Sequence, residues 1–278
     1  VKRQLEEYAS ADGMIVSEQE STSYSVVLAP KGIDRMFLHH PGANDTFCAS
    51  DIDYEAVGKA QLFHFGYPPL MKHFFENNGE ELAAMFRHVK ELGVATSLDM
   101  AAVDAGSDSG RADWEAIIRK ILPFVDFFVP SVEELAFMID RKRLAEWTLR
   151  AQGRDITTGL HPEDIAPLAE KLISWGAKIV LIKCGVPGLF LAAGSRESLE
   201  QIGGGLGATL KTWENIRKFE PSYQPDQVLS GTGAGDTSIA AFLCGVMEQF
   251  DWEKCLRYAA ATGACCVESF DAVSGLKS

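Results

Sequence analysis

The 278-residue sequence is 46% hydrophobic and 23% charged, apolar enough for a large core and too apolar for a disordered chain. Its 39 acidic and 26 basic residues leave a formal net charge of −13, which repels phosphate backbones and anionic membranes, so neither nucleic acid nor membrane is an expected partner. A local phosphate site stays available, because oriented backbone amides can make one inside an acidic protein.

In chain order, Val1 to Ser10 reads as a polar helix without a signal-peptide core, and no run approaches the roughly 18 apolar residues of a membrane span. A cytoplasmic protein is expected. Ser23 to Leu28 and Met36 to His40 are strand-like runs joined by the turn formers Pro30, Lys31, Gly32, Ile33 and Asp34, which predicts a hairpin. On it, His39 and His40 point to opposite faces and do not share a metal; Arg35 has no assigned role. The rhythm then changes. Apolar runs at Leu62 to Phe65, Val94 to Leu98, Phe124 to Val129 and Ile179 to Ile182 alternate with segments of helical period, the βαβ pattern of a parallel sheet.

In Glu80 to Leu92 the residues Leu82, Met85, Phe86 and Val89 line one helical face, and Gly93 is placed to end it. Pro162 suits the first position of a helix between His161 and Trp175, Glu163 and Asp164 favour its positive end, and Ile165, Leu168, Ala169, Leu172 and Ile173 form its buried stripe before Gly176. Gly235 to Phe250 is apolar nearly all round and predicts a buried helix, with Trp252 to Val267 as its neighbour. Ala101 to Asp113 and Gly194 to Gln227 lack periodicity and read as long loops. The six cysteines, Cys48, Cys184, Cys244, Cys255, Cys265 and Cys266, include no CxxC pair and read as reduced core thiols rather than a zinc or disulfide framework.

The strongest chemical signal is Gly231, Thr232, Gly233, Ala234, Gly235, Asp236, Thr237, immediately before the apolar helix. Glycines allow a sharp bend, and free N–H groups at a helix start then form an anion site. A carboxylate there repels a resting phosphate, but it can accept the proton of a hydroxyl that attacks the phosphoryl group while the amides stabilise the transferring charge. The bland alternative, an acid favoured by the helix dipole, stays open. A dinucleotide-binding turn fits less well, because it belongs in the first βαβ unit with an acid about 20 residues on, and no GxxxxGK[ST] motif is present.

GTGAGDT followed by an apolar helix resembles the C-terminal signature of the PfkB carbohydrate kinases, and further stretches agree with that family in order. Phe128 to Glu134 is similar to the strand end with its NxxE motif, Lys183 to Gly188 resembles its later nucleotide-side turn, and Pro41, Gly42, Ala43, Asn44 resembles its substrate-side GAN segment after the lid. The resemblance covers nearly the whole chain. It implies a ribokinase-like α/β fold, a doubly wound, mostly parallel sheet flanked by helices, with a β lid at 21–44 and a main kinase domain at 45–278 to which helix 1–10 also belongs. It further implies ATP- and Mg²⁺-dependent phosphorylation of a hydroxyl on a sugar or sugar-like molecule, and leaves a monovalent cation and a homodimer through the lid open. Asp236 would be the catalytic base, with the amides of Gly233, Ala234 and Gly235 as the anion hole. Glu134 would act through Mg²⁺, reached through water; Lys183, Gly185, Gly188 and Thr232 would lie at the nucleotide; Gly42, Asn44 and Asp99 would face the sugar.

Read from the residues alone, a solvated first-turn acid stays open for Glu134, a strand-end lysine for Lys183, a turn former for Asp99 and a loop cap for Asn44. Three positions depart from the family pattern: Ser131 replaces the asparagine of NxxE, and Ser230 and Gly231 replace an acid and a threonine ahead of the bend. No strand with a substrate-binding aspartate and no GGN-type segment precedes Val1, so either a fragment or a missing front segment is expected, leaving the sheet with an unprotected edge. A nucleoside kinase of the same fold and a non-catalytic binding or regulatory protein remain the alternatives.

Overall fold

The computed structural model describes residues 2–7, 10–28 and 36–276. The expected turn from Pro30 to Asp34, and Arg35, lie outside the described residues. Strands β1 (Tyr24–Leu28) and β2 (Met36–His40) pair antiparallel as the hairpin predicted them, and Tyr24, Val26, Val27, Leu28 and Leu38 stay exposed. His39 and His40 turn to different serines, His39 Nδ1 lying 2.9 Å from Ser25 Oγ and His40 Nε2 lying 3.0 Å from Ser21 Oγ.

A six-stranded sheet carries the core, its strands side by side in chain order: β3 (Leu62–Phe65), β4 (Ala95–Leu98), β5 (Phe127–Phe128), β6 (Ile179–Lys183), β7 (Gly188–Ala193) and β8 (Arg217–Pro221). β3 to β6 run parallel, and β7 and β8 are added antiparallel. All of β4 and the first four residues of β6 are buried, the pattern of strands covered on both faces. One face packs on α1 (Glu80–Glu91), α2 (Trp114–Ile121), α3 (Val132–Ile139) and, beyond α4 (Arg141–Ala151), α5 (Pro162–Ser174). The other packs on α6 (Ala234–Met247) and α7 (Trp252–Cys266). The predicted stripe of α1 is fully buried, and Gly93 ends the helix at φ 77°. Phe86, which meets the rings of Phe63 and Phe65 edge-on, belongs to that stripe; its removal to alanine costs about 3–5 kcal/mol.

Several expectations are corrected. Among the described residues, the helix expected over Val1 to Ser10 is a single turn, Lys2–Leu5. The strand expected over Phe124 to Val129 shrinks to two residues, because Leu122–Phe124 winds into a 3₁₀ turn around Pro123 and Asp126 is a buried ion-pair partner. The loop reading of Gly194 to Gln227 missed β8 and two helical turns, Arg196–Leu199 and Gly207–Leu210; that of Ala101 to Asp113 missed the turn Asp108–Arg111. Ile173 is only half-buried. Cys184, Cys255 and Cys266 are buried thiols, whereas Cys244 is exposed on α6 and Cys48 and Cys265 are half-buried.

Candidate active site

The carboxyl ends of the parallel strands deliver the polar side chains. Asp99 directly follows β4, Ser131 and Glu134 follow β5, Lys183 ends β6, and Tyr67 stands two residues beyond β3. Open α/β sheets bind ligands at this edge. A cavity of about 600 Å³ lies here, with the first turn of α6 forming one wall.

The glycine bend makes that wall. Gly233 caps α6 at φ 82°, a conformation suited to glycine, and a Cβ there would lie 2.3 Å from Ala272 Cβ. The C-terminal segment therefore seats against the bend, and Cys266 Sγ stands between them, 3.6 Å from Thr232 O and 3.5 Å from Ala272 O. Ala234 N makes only a long 3.4 Å bond to Gly231 O, and first-turn amides such as those of Gly235 and Asp236 have no intrahelical acceptor. Thr232 N turns back to Ser230 Oγ at 3.1 Å.

Against the start of α6 lies Lys183, whose Nζ is 3.7 Å from where a Cβ on Gly235 would sit. Lys183 Nζ donates to both carboxylate oxygens of Asp99 at 2.8 Å. Asp99 is 1% exposed; burial pushes its pKa up to about 7 against the pull of Lys183, and the Glu134 charge adds to the rise. Glu134 closes a capping box, with Ser131 N donating to its Oε2 at 2.9 Å and Glu134 N to Ser131 Oγ at 3.4 Å. The serine that stands in place of asparagine thus caps α3.

Two residues not singled out from the sequence complete the chemistry. The Tyr67 hydroxyl donates to Asp236 Oδ1, and burial, that bond and the charges of Asp236, Asp99 and Glu134 hold the phenol protonated. His64 lies nearby, its Nδ1 2.9 Å from Ser97 Oγ, and desolvation of its ring together with Lys183 lowers its pKa, with Asp236 pulling the other way. The available signal for Tyr67 was its position just past a strand of the parallel set.

The cavity brings together Asp99, Glu134, Lys183, Ala234, Gly235 and Asp236, with Gly185 and Gly188 on the same wall. Gly188 also has a packing reason, since a Cβ there would meet Glu220 O at 2.0 Å across β7 and β8. Gly42, Asn44, Thr232 and Gly233 do not line it. Gly42 and Asn44 sit in a 3₁₀ turn tied to the chain ahead of β1 by Ala43 N donating to Ser21 O at 2.9 Å. Away from the acids the walls turn apolar, with Val186, Leu189, Tyr223, Val228, Ala260 and Val267.

Sheet topology and edge location place the protein among the open α/β folds that take their ligand where parallel strands end. The chain belongs to the pfkB family of carbohydrate kinases, whose family profile matches residues 9–278. It is 27% identical over 273 residues to an uncharacterized sugar kinase of Archaeoglobus fulgidus, covering 97% of this chain and 86% of that one. It is also 27% identical over 260 residues to a ribokinase of Arabidopsis thaliana, covering 92% of this chain but only 55% of the plant protein. Among solved structures it is similar to a fructokinase of Xylella fastidiosa with bound ATP, at a TM-score of 0.68, 19% identity and coverage of 99% and 76%. The Arabidopsis thaliana ribokinase complexed with ribose and ATP gives 0.62, 23% identity and coverage of 92% and 66%.

Proposed function

We propose that the protein transfers the terminal phosphoryl group of ATP to a hydroxyl of a sugar or sugar-like small molecule, with Asp236 as general base. The observation that carries this reading is one carboxylate in the first turn of α6, beside first-turn amides that point out of the helix and across from Lys183. The acceptor hydroxyl gives its proton to Asp236 as its oxygen bonds to phosphorus; the bond from phosphorus to the bridging oxygen breaks, and ADP leaves with that electron pair. The amides of Ala234 and Gly235 and the Lys183 ammonium face the charge that develops on the phosphoryl oxygens. Asp99 holds that ammonium in place through two hydrogen bonds. The apolar end, between Val186, Tyr223 and Val228, suits the adenine base.

The cavity is lined by five acids, Asp99, Glu133, Glu134, Asp155 and Asp236, and by one lysine, Lys183. A polyphosphate does not settle in such a field without a divalent cation. No three metal-ligating side chains cluster among the described residues. That donor set fits Mg²⁺, which keeps several waters and takes phosphate oxygens alongside one or two carboxylates; Glu134, on the cavity wall, would meet its water shell. When bound, Mg²⁺ neutralises charge on the phosphate oxygens.

Replacement of Asp236 by asparagine is expected to leave Mg·ADP binding intact and to lower phosphoryl transfer roughly 10²- to 10⁴-fold. The measurement is a coupled ADP assay over a panel that includes D-ribose, D-fructose and ribonucleosides. Unchanged turnover in Asp236→Asn removes the residue from the mechanism.

A further inference from the structure

The Tyr67 hydroxyl donates to Asp236 Oδ1. An alcohol about to be phosphorylated makes the same contact, an O–H donated to that carboxylate. The phenol is well suited to hold the place. It is half-buried, and it stands among Asp236, Asp99 and Glu134, whose charges disfavour a phenolate. Its backbone is fixed as well. Tyr67 O accepts from Leu70 N at 3.0 Å at the start of the 3₁₀ turn Pro68–Leu70, in which both prolines are buried.

We infer that Tyr67 is a specificity-determining residue that guards Asp236 against water: it occupies the general base until a sugar hydroxyl takes its place. The inference rests on the kinase reading given above. A general base beside a bound γ-phosphoryl group activates water as readily as an alcohol. The product is then inorganic phosphate, with the phosphorus–oxygen bond of the attacking water formed, the bridging bond broken, and the proton on Asp236. Water is present at 55 M in solution, so a kinase without a guard wastes ATP, and exclusion of water is the usual defence. Tyr67 supplies that exclusion by direct occupation. An acceptor with several hydroxyls displaces the phenol because its other hydroxyls bind elsewhere in the site; a lone water has no such anchorage.

The test is ATP hydrolysis without any sugar, read as released phosphate with Mg·ATP alone. A hydrogen bond to a charged group corresponds to roughly one to two powers of ten, so Tyr67→Phe is expected to raise sugar-independent hydrolysis about tenfold or more. Its calorimetric affinity for Mg·ADP is expected to equal the parent's. In the double variant Tyr67→Phe with Asp236→Asn, the gain is expected to vanish. Damage to the fold does not produce a gain, and Tyr67→Leu provides a second variant of different shape with the same expected direction. If the parent binds Mg·ADP and hydrolysis in both Tyr67 variants is unchanged or lower, or if the gain survives Asp236→Asn, this inference is overturned while the kinase reading stands. A parent that neither binds Mg·ADP nor turns over ATP overturns the kinase reading, and this inference with it.

Discussion

Two buried aspartates, one at each end of the sheet, show how the same ion pair serves different ends. Asp126 is fully buried ahead of β5 and accepts from Lys90 Nζ at 2.9 and 2.8 Å and from Thr96 N at 3.0 Å, with Lys178 Nζ at 3.2 Å. Every lone pair has a donor, so this charge is tied into the framework. Asp99, at the opposite end, has Lys183 and the Met100 amide at 2.8 Å, and burial outweighs them. A carboxyl group raised to about 7 binds its proton more tightly in the folded chain than in the unfolded one. It therefore costs stability increasingly as pH rises from about 4 through 7. Thermal melting across pH 5 to 8 is expected to show the parent losing ground against Asp99→Asn as pH rises; a difference independent of pH contradicts the shift. The sequence marked Asp99 and Lys183 separately, from strand ends, and their pairing was not legible there because it joins residues 84 apart.

The helices were legible where periodicity and termination agreed. α1 and α5 have apolar stripes closed by Gly93 and Gly176, both at positive φ, and local sequence alone specifies such elements. β7 and β8 were not legible. β8 reads Arg-Lys-Phe-Glu-Pro, and it is a strand because β7 offers it an edge, a tertiary cause that propensity does not record. The start of α3 shows both cases. Ser131 reads from sequence as a departure from NxxE, whereas in the fold it is half of a capping box that orients Glu134. Ser131→Ala is expected to cost about 1 kcal/mol of stability in denaturant unfolding, since the hydroxyl that accepts from Glu134 N is lost, and to leave the Mg²⁺ titration of activity unchanged, since the backbone N–H of Ser131 still holds the Glu134 carboxylate. A raised Mg²⁺ requirement in this variant contradicts that separation of cap from carboxylate.

Across the whole molecule, the hairpin is the element whose surface is least accounted for. Tyr24, Val26 and Leu28 share one face of β1, Leu38 lies opposite Val26 on β2, and all four are exposed. An apolar face on a two-stranded ribbon is stable in water only when something covers it. We propose a second copy of the lid as the cover. Sedimentation is expected to show a dimer, and Val26→Lys, a charge at the centre of that face, is expected to shift it to monomer; a parent that sediments as a monomer removes the dimer.

The seat of Ala272 beneath Gly233 has a practical meaning for anyone handling this protein. Chain ends are ordinarily the safest places to trim or to attach a tag. Here the stretch that carries Ala272 packs behind Gly233, so a cut just after α7 takes away that buttress together with Val267 of the cavity wall and is expected to lower phosphoryl transfer.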